Sequence, residues 1–389
     1  MISLRLSKIK KEKQKVLFIT GSRSEYNIIK DLFKKSLKDF DSKLLVHAGH
    51  MQKFYGNFYK EINKNFGKNS IFLKTNTGIS NSKKQVSLSF ANQVKKISSI
   101  LIKQSPSLVV ITGDRTESLA AACSCIINYV PIFHLHGGEL SFGSLDEKIR
   151  HSISKLSSFH FVSHKRYKKR LIQLGEEKKN IKIIGAPSLN NLANNKNNLE
   201  YENKILRKKN LLNKDYVMVC LNSCLEKNET LNLSKKLFSF LDKVKITKLV
   251  TYPNPDLNNQ FIIDELLKRK KKNDYKIYKY LGQDYHIFLK NCQFLIGNSS
   301  SGIIEAPYFN KLFVNLGTRQ DGREYSKNST IIIKNFDDLN SSLIKKINKK
   351  IKNKSTNLYF KKNTSSIFIN GLKRAIKSNL LKKKFIDII

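Results

Sequence analysis

The feature that most constrains this chain is a recurring unit: a short apolar run, a cluster of small or polar residues, then a stretch with helical spacing. Val16–Thr20 (VLFIT) reads as a buried strand, Gly21–Ser24 as a turn, and Glu25–Ser36 as a helix with Tyr26, Ile29, Leu32 and Phe33 on one face. Further strands are expected at Leu44–His47, Leu108–Thr112, Ile132–His136, Phe159–Ser163 and Ile181–Ile184, with helices at Val86–Lys103, Glu117–Asn128 and Ile149–Ser157. Strands that alternate with helices need crossover connections, which are right-handed and build a parallel sheet.

A polar, Asn-rich stretch, Asn190–Asn203, interrupts the pattern and reads as a linker. The pattern then restarts. Strands are expected at Tyr216–Leu221, Lys248–Tyr252, Tyr275–Tyr278, Phe294–Ile296 and Leu312–Leu316. Helices are expected at Thr230–Leu241, Asn259–Arg269, Gln283–Asn291 and Ser301–Phe309, with an amphipathic helix at Ser365–Ser378. The predicted fold is α/β, with two Rossmann-like domains whose parallel sheets face a cleft. Residues 1–189 form the first domain, 190–203 the linker and 204–364 the second domain. Residues 365–389 form a C-terminal helix expected to pack back on the first domain.

Apolar residues make up 40% of the chain, enough for a core in each domain. No run of about 18 apolar residues is present, so no transmembrane span is expected. Met1–Lys15 is basic and lacks the apolar stretch of a signal peptide, so a cytoplasmic location is expected. The five cysteines, at 123, 125, 220, 224 and 292, are irregularly spaced and suggest neither a disulfide framework nor a zinc site. Cys123 and Cys125 lie in an apolar run and read as small core residues. The net charge of +43 raises the question of a polyanionic partner. Yet the basic runs, Lys8–Lys15, Lys165–Arg170, Lys268–Lys276, Lys345–Lys354 and Lys382–Lys384, are scattered along the chain. No aromatic residues are interleaved with them as stacking platforms. The favoured reading is a lysine-rich composition with no specific nucleic-acid or membrane partner, its field helping to attract an anionic substrate.

Doubly wound sheets bind ligands at the carboxyl ends of their strands, so the residues after each strand are the candidates. Gly21-Ser22-Arg23-Ser24-Glu25 offers close backbone approach and an arginine fork for phosphate; otherwise it is a plain strand-to-helix turn. Gly113-Asp114-Arg115-Thr116-Glu117 places Asp114 at a strand tip, as an acid-base group or as a helix N-cap. In His134-Leu135-His136-Gly137-Gly138-Glu139, strand alternation would set both histidines on one face. That arrangement reads as a polar cleft wall rather than a metal site, since no third ligand stands at a telling spacing. Asp146, Glu147, Arg150 and His151 open a helix and form a candidate acid-base cluster. The most specific constellation is Gly297-Asn298-Ser299-Ser300-Ser301-Gly302, between a strand and a helix. Its amides, hydroxyls and helix dipole suit a pyrophosphate. Glu305 one turn on can accept from ribose hydroxyls, and Pro307 is expected to distort that helix. Two arginines follow in Asn315–Glu324 (NLGTRQDGRE).

From Val16 to about Glu324, the motifs TGSRSEY, ITGDRTE, HLHGGE, DEKIRHSISKLS, GNSSSG and NLGTRQDGRE make the chain resemble the hydrolysing UDP-N-acetylglucosamine 2-epimerases of sialic- and legionaminic-acid-type pathways. The resemblance implies a glycosyltransferase-B-like fold, nucleotide on the second domain, sugar in the cleft and a homo-oligomer. It implies release of UDP by elimination to a 2-acetamidoglucal, then water addition that inverts C2. It places Arg23 and Arg319 near the nucleotide, Ser300 and Ser301 on phosphate, and Glu305 on ribose. Asp114, Asp146 and Glu147 match acidic positions implicated in the chemistry.

The candidate catalytic set is Asp114, His136, Glu139, Asp146, Glu147 and Arg150. The candidate nucleotide set is Arg23, Asn254, Asn298, Ser299, Ser300, Ser301, Gly302, Glu305, Arg319 and Arg323. No cofactor or metal is expected. The chain departs from wider relatives in two places. His136 stands where several have a glutamate, and Leu221-Asn222-Ser223-Cys224 stands where a histidine is expected. These leave open a GDP-linked or 4-substituted sugar, or reduced activity. Alternatives are a non-hydrolysing epimerase, a glycosyltransferase of the same fold, or a basic nucleic-acid-binding protein.

Overall fold

A computed structural model describes residues 13–52, 58–75, 82–194, 198–254, 256–377 and 383–387. The first sheet has seven parallel strands: β1 (Lys15–Thr20), β2 (Asp41–Val46), β3 (Ser70–Phe72), β4 (Leu108–Thr112), β5 (Ile132–Leu135), β6 (Phe159–Val162) and β7 (Ile181–Ile183), in the order β3-β2-β1-β4-β5-β6-β7. The second sheet has six: β8 (Tyr216–Cys220), β9 (Thr247–Thr251), β10 (Tyr275–Tyr278), β11 (Phe294–Gly297), β12 (Leu312–Leu316) and β13 (Thr330–Ile333), in the order β10-β9-β8-β11-β12-β13. The chain thus folds as two Rossmann-like domains of the glycosyltransferase-B-like type.

Both faces of each sheet are covered, which is why the central strands read as continuous apolar runs. Val16 and Phe18 pack on one side with Phe33, Phe161, Phe368 and Leu372. Leu17 and Ile19 pack on the other with Val109, Ile111, Ala121, Cys125 and Ile153. Cys125 is buried as expected, whereas Cys123 is half-buried and lies outside these clusters. The helix Thr364–Ile376 contributes Phe368, Ile369, Leu372 and Ala375 to the first-domain core. A third cluster joins the domains, with Tyr167 and Leu189 against Tyr359 and Leu295.

The Asn-rich stretch expected as a linker is mostly helical. Helices run Pro187–Asn194 and Leu199–Lys208, and residues 195–197 lie outside the described residues. Asn198 caps the second by accepting from the Tyr201 amide at 2.9 Å. Acidic residues fill its first turn and basic residues its last, as the helix dipole favours. Its Glu202 holds Lys290 at 2.9 Å, tying it to the second domain.

Several elements escaped the sequence reading: β3, β13 and the helices Phe58–Phe66, Lys165–Gln173 and Ser341–Lys350. The strands are only three and four residues long, and the helix KRYKKRLIQ has too few apolar residues to show its period. The basic stretch before residue 13, and residues 378 and 382, lie outside the described residues. Among the described residues, no helix is long and apolar enough to cross a membrane.

Candidate active site

In each sheet the chain reverses its direction of strand addition once, between β1 and β4 in the first and between β8 and β11 in the second. Loops leaving adjacent strands at such a point diverge and open a crevice. The segments Gly21–Glu25 and Gly113–Glu117 follow β1 and β4. Leu221–Asn222 and Asn298–Ser301 follow β8 and β11. A cavity of about 250 Å³ between them is lined by Arg23, Asp114, His136 and Asp146 of the first domain. Asn254, Ser299, Ser300, Ser301, Glu305, Arg319 and Arg323 line it from the second. Topology therefore gathers most of the candidate residues, from segments some 300 positions apart, at one place.

Asp114 does not cap the following helix. That helix, Thr116–Ile127, starts after Arg115 and has no side-chain cap. Asp114 instead takes Nε of Arg150 at 3.0 Å and also receives its Nη2. Arg150 is wholly buried and spends its other donors on Glu139 O (3.0 Å), Glu147 Oε2 (3.1 Å) and Ser141 Oγ (2.9 Å). Burial disfavours charge on Asp114, but the Arg150 and Arg323 guanidiniums outweigh it and hold the carboxyl below the usual range.

Asp146, the first residue of the helix Asp146–Leu156, is pushed the other way. Burial raises its pKa and the charge of Asp114 adds to this, against the opposition of Arg319 at 3.3 Å. One carboxylate is held ionised while its neighbour is driven toward its acid form, a division that separates base from acid in active sites.

Glu147, Arg150 and Glu139 do not line the cavity, a correction to their reading as reacting groups. Glu147 accepts from the Ser141 amide, from Arg150 and from His151 Nε2 at 2.9 Å. Burial opposes its charge, but these bonds prevail and lower its pKa. Glu139 is buried between His136 Nδ1 (2.7 Å), Ser163 Oγ (2.8 Å) and Arg323 Nη1 (2.9 Å). Burial again opposes, and Arg323 with His136 holds the carboxyl far below its usual range.

Strand alternation does not align the two histidines. β5 ends at Leu135 and His136 takes a left-handed φ of 67°, so alternation stops before it. His134 donates from Nε2 to Gly113 O (2.8 Å) and accepts at Nδ1 from Ser154 Oγ (3.0 Å), pinning the Asp114 turn to the Asp146 helix. Burial pushes its pKa down to about 3, so it stays neutral.

In the second domain, Gly297 has φ 143°, and a Cβ there would stand 2.1 Å from Cys220 O. That close approach requires glycine. The expectation that Asn298 meets phosphate is corrected: it is wholly buried, accepting from Asn222 N (2.7 Å) and donating to Asn222 O (2.8 Å). Gly302 is likewise turned inward. Its amide donates to Ser299 O at 3.1 Å, and a Cβ would lie 2.3 Å from the Phe313 ring. The helix expected over Ser301–Phe309 runs only Ser301–Ile304 before a 3₁₀ turn, Ala306–Phe309, with Pro307 near its start. One turn carries little macrodipole. The positive charge on this cavity comes from arginines instead. Arg23 donates to Lys279 O across the cleft at 2.6 Å and lies 5.3 Å over the Tyr280 ring.

The family profile described as UDP-N-acetylglucosamine 2-epimerase matches residues 34–373. The chain belongs to this epimerase family. It is 37% identical over 354 residues to a Campylobacter jejuni protein named GDP/UDP-N,N'-diacetylbacillosamine 2-epimerase (hydrolyzing), spanning 87% of this chain and 89% of that one. It is 30% identical over 343 residues to the Legionella pneumophila UDP-N,N'-diacetylbacillosamine 2-epimerase (hydrolyzing), spanning 86% and 89%. The fold is similar to that of the Methanocaldococcus jannaschii UDP-GlcNAc 2-epimerase in complex with UDP-GlcNAc and UDP. The TM-score is 0.72 at 19% identity, covering 93% of this chain and 100% of that one.

In this member of the epimerase family, Asn222 lies in the Leu221–Cys224 segment, where the family resemblance implies a histidine. Its Oδ1 accepts from Asn254 N at 2.9 Å, and its backbone is clasped by Asn298. It thereby joins the loops after β8, β9 and β11. Other cavity residues went unnoticed in the sequence. Arg115 bridges Glu117 and Asp256, each at 2.8 Å. Tyr285 Oη meets Ser301 Oγ at 2.6 Å, and His286 Nε2 lies 3.6 Å from Glu305. Arg115 adjoins Asp114 in the TGDRTE motif and could have been found there; the other two carry no motif signal. Arg115, Asp146 and Arg319 also border a larger adjoining pocket of about 790 Å³. Among the described residues, no group of three or more His, Cys, Asp or Glu side chains could hold a metal ion.

Proposed function

We propose that the protein is a hydrolysing 2-epimerase acting on a UDP- or GDP-linked 2-acetamido sugar of the N-acetylglucosamine or N,N'-diacetylbacillosamine type. Its products are the free 2-epimeric sugar and the nucleoside diphosphate. The observation that carries this reading is the pair Asp114 and Asp146, side by side in one arginine-lined crevice with their pKa values driven apart. Inverting C2 by elimination and hydration needs a base for the C2 proton and an acid to return one on the other face. Asp114, held ionised by Arg150, takes the proton as the C1–O bond to the diphosphate breaks. Asp146 returns one to C2 when water adds at C1. Arg319, Arg23 and the Ser299–Ser301 hydroxyls hold the departing diphosphate, whose developing charge needs fixed positive partners. Glu305 receives the ribose hydroxyls. Two relatives named as hydrolysing, similar along most of both chains, support the same reading.

The test is incubation with UDP- and GDP-N-acetylglucosamine and with the corresponding diacetamido sugars, products being identified by NMR. Free nucleoside diphosphate with a free 2-epimeric sugar is expected. A 2-epimer still linked to its nucleotide would replace this reading with a non-hydrolysing one.

A further inference from the structure

Hydration of the glycal creates a third proton transfer that the two aspartates leave unserved: the water that bonds to C1 must lose a proton. His136 has the geometry for it. Its Nδ1 lies 2.7 Å from Glu139 Oε1 and donates to that ionised carboxylate. Glu139 cannot swing away, because Ser163 Oγ holds the same oxygen at 2.8 Å and Arg323 holds the other at 2.9 Å. In the tautomer that carries its hydrogen on Nδ1, Nε2 presents a lone pair. That atom is buried, has no hydrogen-bond partner and belongs to a side chain that lines the catalytic cavity with Asp114 and Arg319. His134, two residues earlier, has both nitrogens engaged by protein groups. His136 also takes a left-handed backbone at φ 67°, a strained state for a residue with a Cβ. Strain of this kind persists where surrounding contacts enforce it, and it gathers at functional sites.

We propose that His136, oriented by Glu139, is the base that takes the proton of the attacking water in the second half-reaction. The inference rests on the hydrolysing reading above. The water oxygen bonds to C1 of the glycal, its proton passes to His136 Nε2, and C2 takes a proton from Asp146. The imidazolium so formed is stabilised by the Glu139 carboxylate, as in base–orienter pairs elsewhere. Over one turnover Asp114 has gained the original C2 proton, Asp146 has given one and His136 has gained one. Exchange with solvent restores all three, with net release of one proton beside the diphosphate. Glu139 is a positioning residue, since it touches the imidazole and not the substrate.

The test separates the half-reactions in the whole protein. His136→Asn suits it, because asparagine tolerates a left-handed backbone better than most residues. Nucleotide release in a single turnover is expected to fall less than about tenfold. Hydration of supplied 2-acetamidoglucal is expected to fall at least about a hundredfold, with glycal accumulating by NMR. Glu139→Gln keeps a hydrogen-bond partner without its charge, and is expected to lower kcat for glycal hydration about tenfold while leaving KM unchanged. Glycal hydration by His136→Asn within about tenfold of the parent overturns the proposal. So does equal loss in both half-reactions, which would put His136 in the elimination step or in support of the fold. A parent protein that converts no nucleotide sugar defeats the hydrolysing reading itself, a distinguishable result.

Discussion

Arg319, on the loop after β12, meets Asp146, at the start of a first-domain helix, with Nη2 to Oδ2 at 3.3 Å across the cleft. Both side chains are mostly buried, and both border the small cavity and the larger pocket beside it. The pair therefore joins the two domains at the point where the acid of the proposed reaction stands.

In the proposed reaction, replacing Arg319 by alanine would remove a guanidinium from the diphosphate and from Asp146 together. KM for the nucleotide sugar is expected to rise at least about tenfold, the equivalent of about 1.4 kcal/mol. Arg319→Lys restores charge but not the planar fork, so it should recover only part of the loss. Steady-state kinetics on both variants checks this, and an unchanged KM in Arg319→Ala would remove Arg319 from the diphosphate site.

The pH profile follows from the opposed shifts at Asp114 and Asp146. Asp114 must be ionised to act as base, and its depressed pKa sets the rising acid limb of kcat/KM below the usual carboxylate range. Asp146 must be protonated to act as acid, and its raised pKa sets the falling limb above that range. Arg319 lowers Asp146, so Arg319→Ala should move the falling limb to higher pH. Profiles of parent and variant that superimpose in shape would contradict the assignment.

Glu25 makes a stability prediction independent of catalysis. Burial, then the neighbouring Glu117, raises its pKa from 4.5 to about 7. The folded state thus holds a proton that the unfolded chain releases, and stability falls as pH rises from about 4.5 to about 7. At about 1.4 kcal/mol per pH unit, the loss is of the order of 3 kcal/mol. Glutamine can still accept from the Gly21 and Ser22 amides and donate to Ser118 Oγ, replacing the three bonds the Glu25 side chain makes. Glu25→Gln should therefore flatten this part of the Tm-against-pH curve and be the more stable form near pH 8. Parallel curves for the two proteins would count against a buried, proton-holding Glu25.

Gly302 tests packing behind the serine loop. An added Cβ would stand 2.3 Å from the Phe313 ring, so Gly302→Ala must displace β12 or the loop. Overpacking of this kind costs about 1–3 kcal/mol. Phe313→Leu in the same chain should recover part of the loss, because the ring is the obstacle. Urea denaturation of the single and double variants measures both effects.

Much of the architecture is legible because parallel strands buried on both faces advertise themselves. Leu108–Thr112, Tyr275–Tyr278 and Leu312–Leu316 coincide with their expected bounds. The loops after strands carry the candidate residues because ligands bind at strand carboxyl ends. The Asn-rich segment has a composition that suits a linker and hides its helices. Its helices gain from a cap, terminal charges and packing against other elements, which composition does not display.

The sequence by itself determined two doubly wound sheets and the loops that would carry chemistry, since burial and helical spacing are local patterns. Tertiary structure alone decided what each polar side chain does there. Asp114 and Asp146 are both aspartates just past a turn, yet one faces Arg150 and Arg323 while the other faces Asp114 and Arg319. Asn298 and Ser300 are two residues apart, but one is clasped by Asn222 and the other lines the cavity. A carboxylate's charge and an amide's freedom depend on partners at hydrogen-bond distance, and in the Asp146–Arg319 pair the fold brings such partners together across 173 positions of the chain.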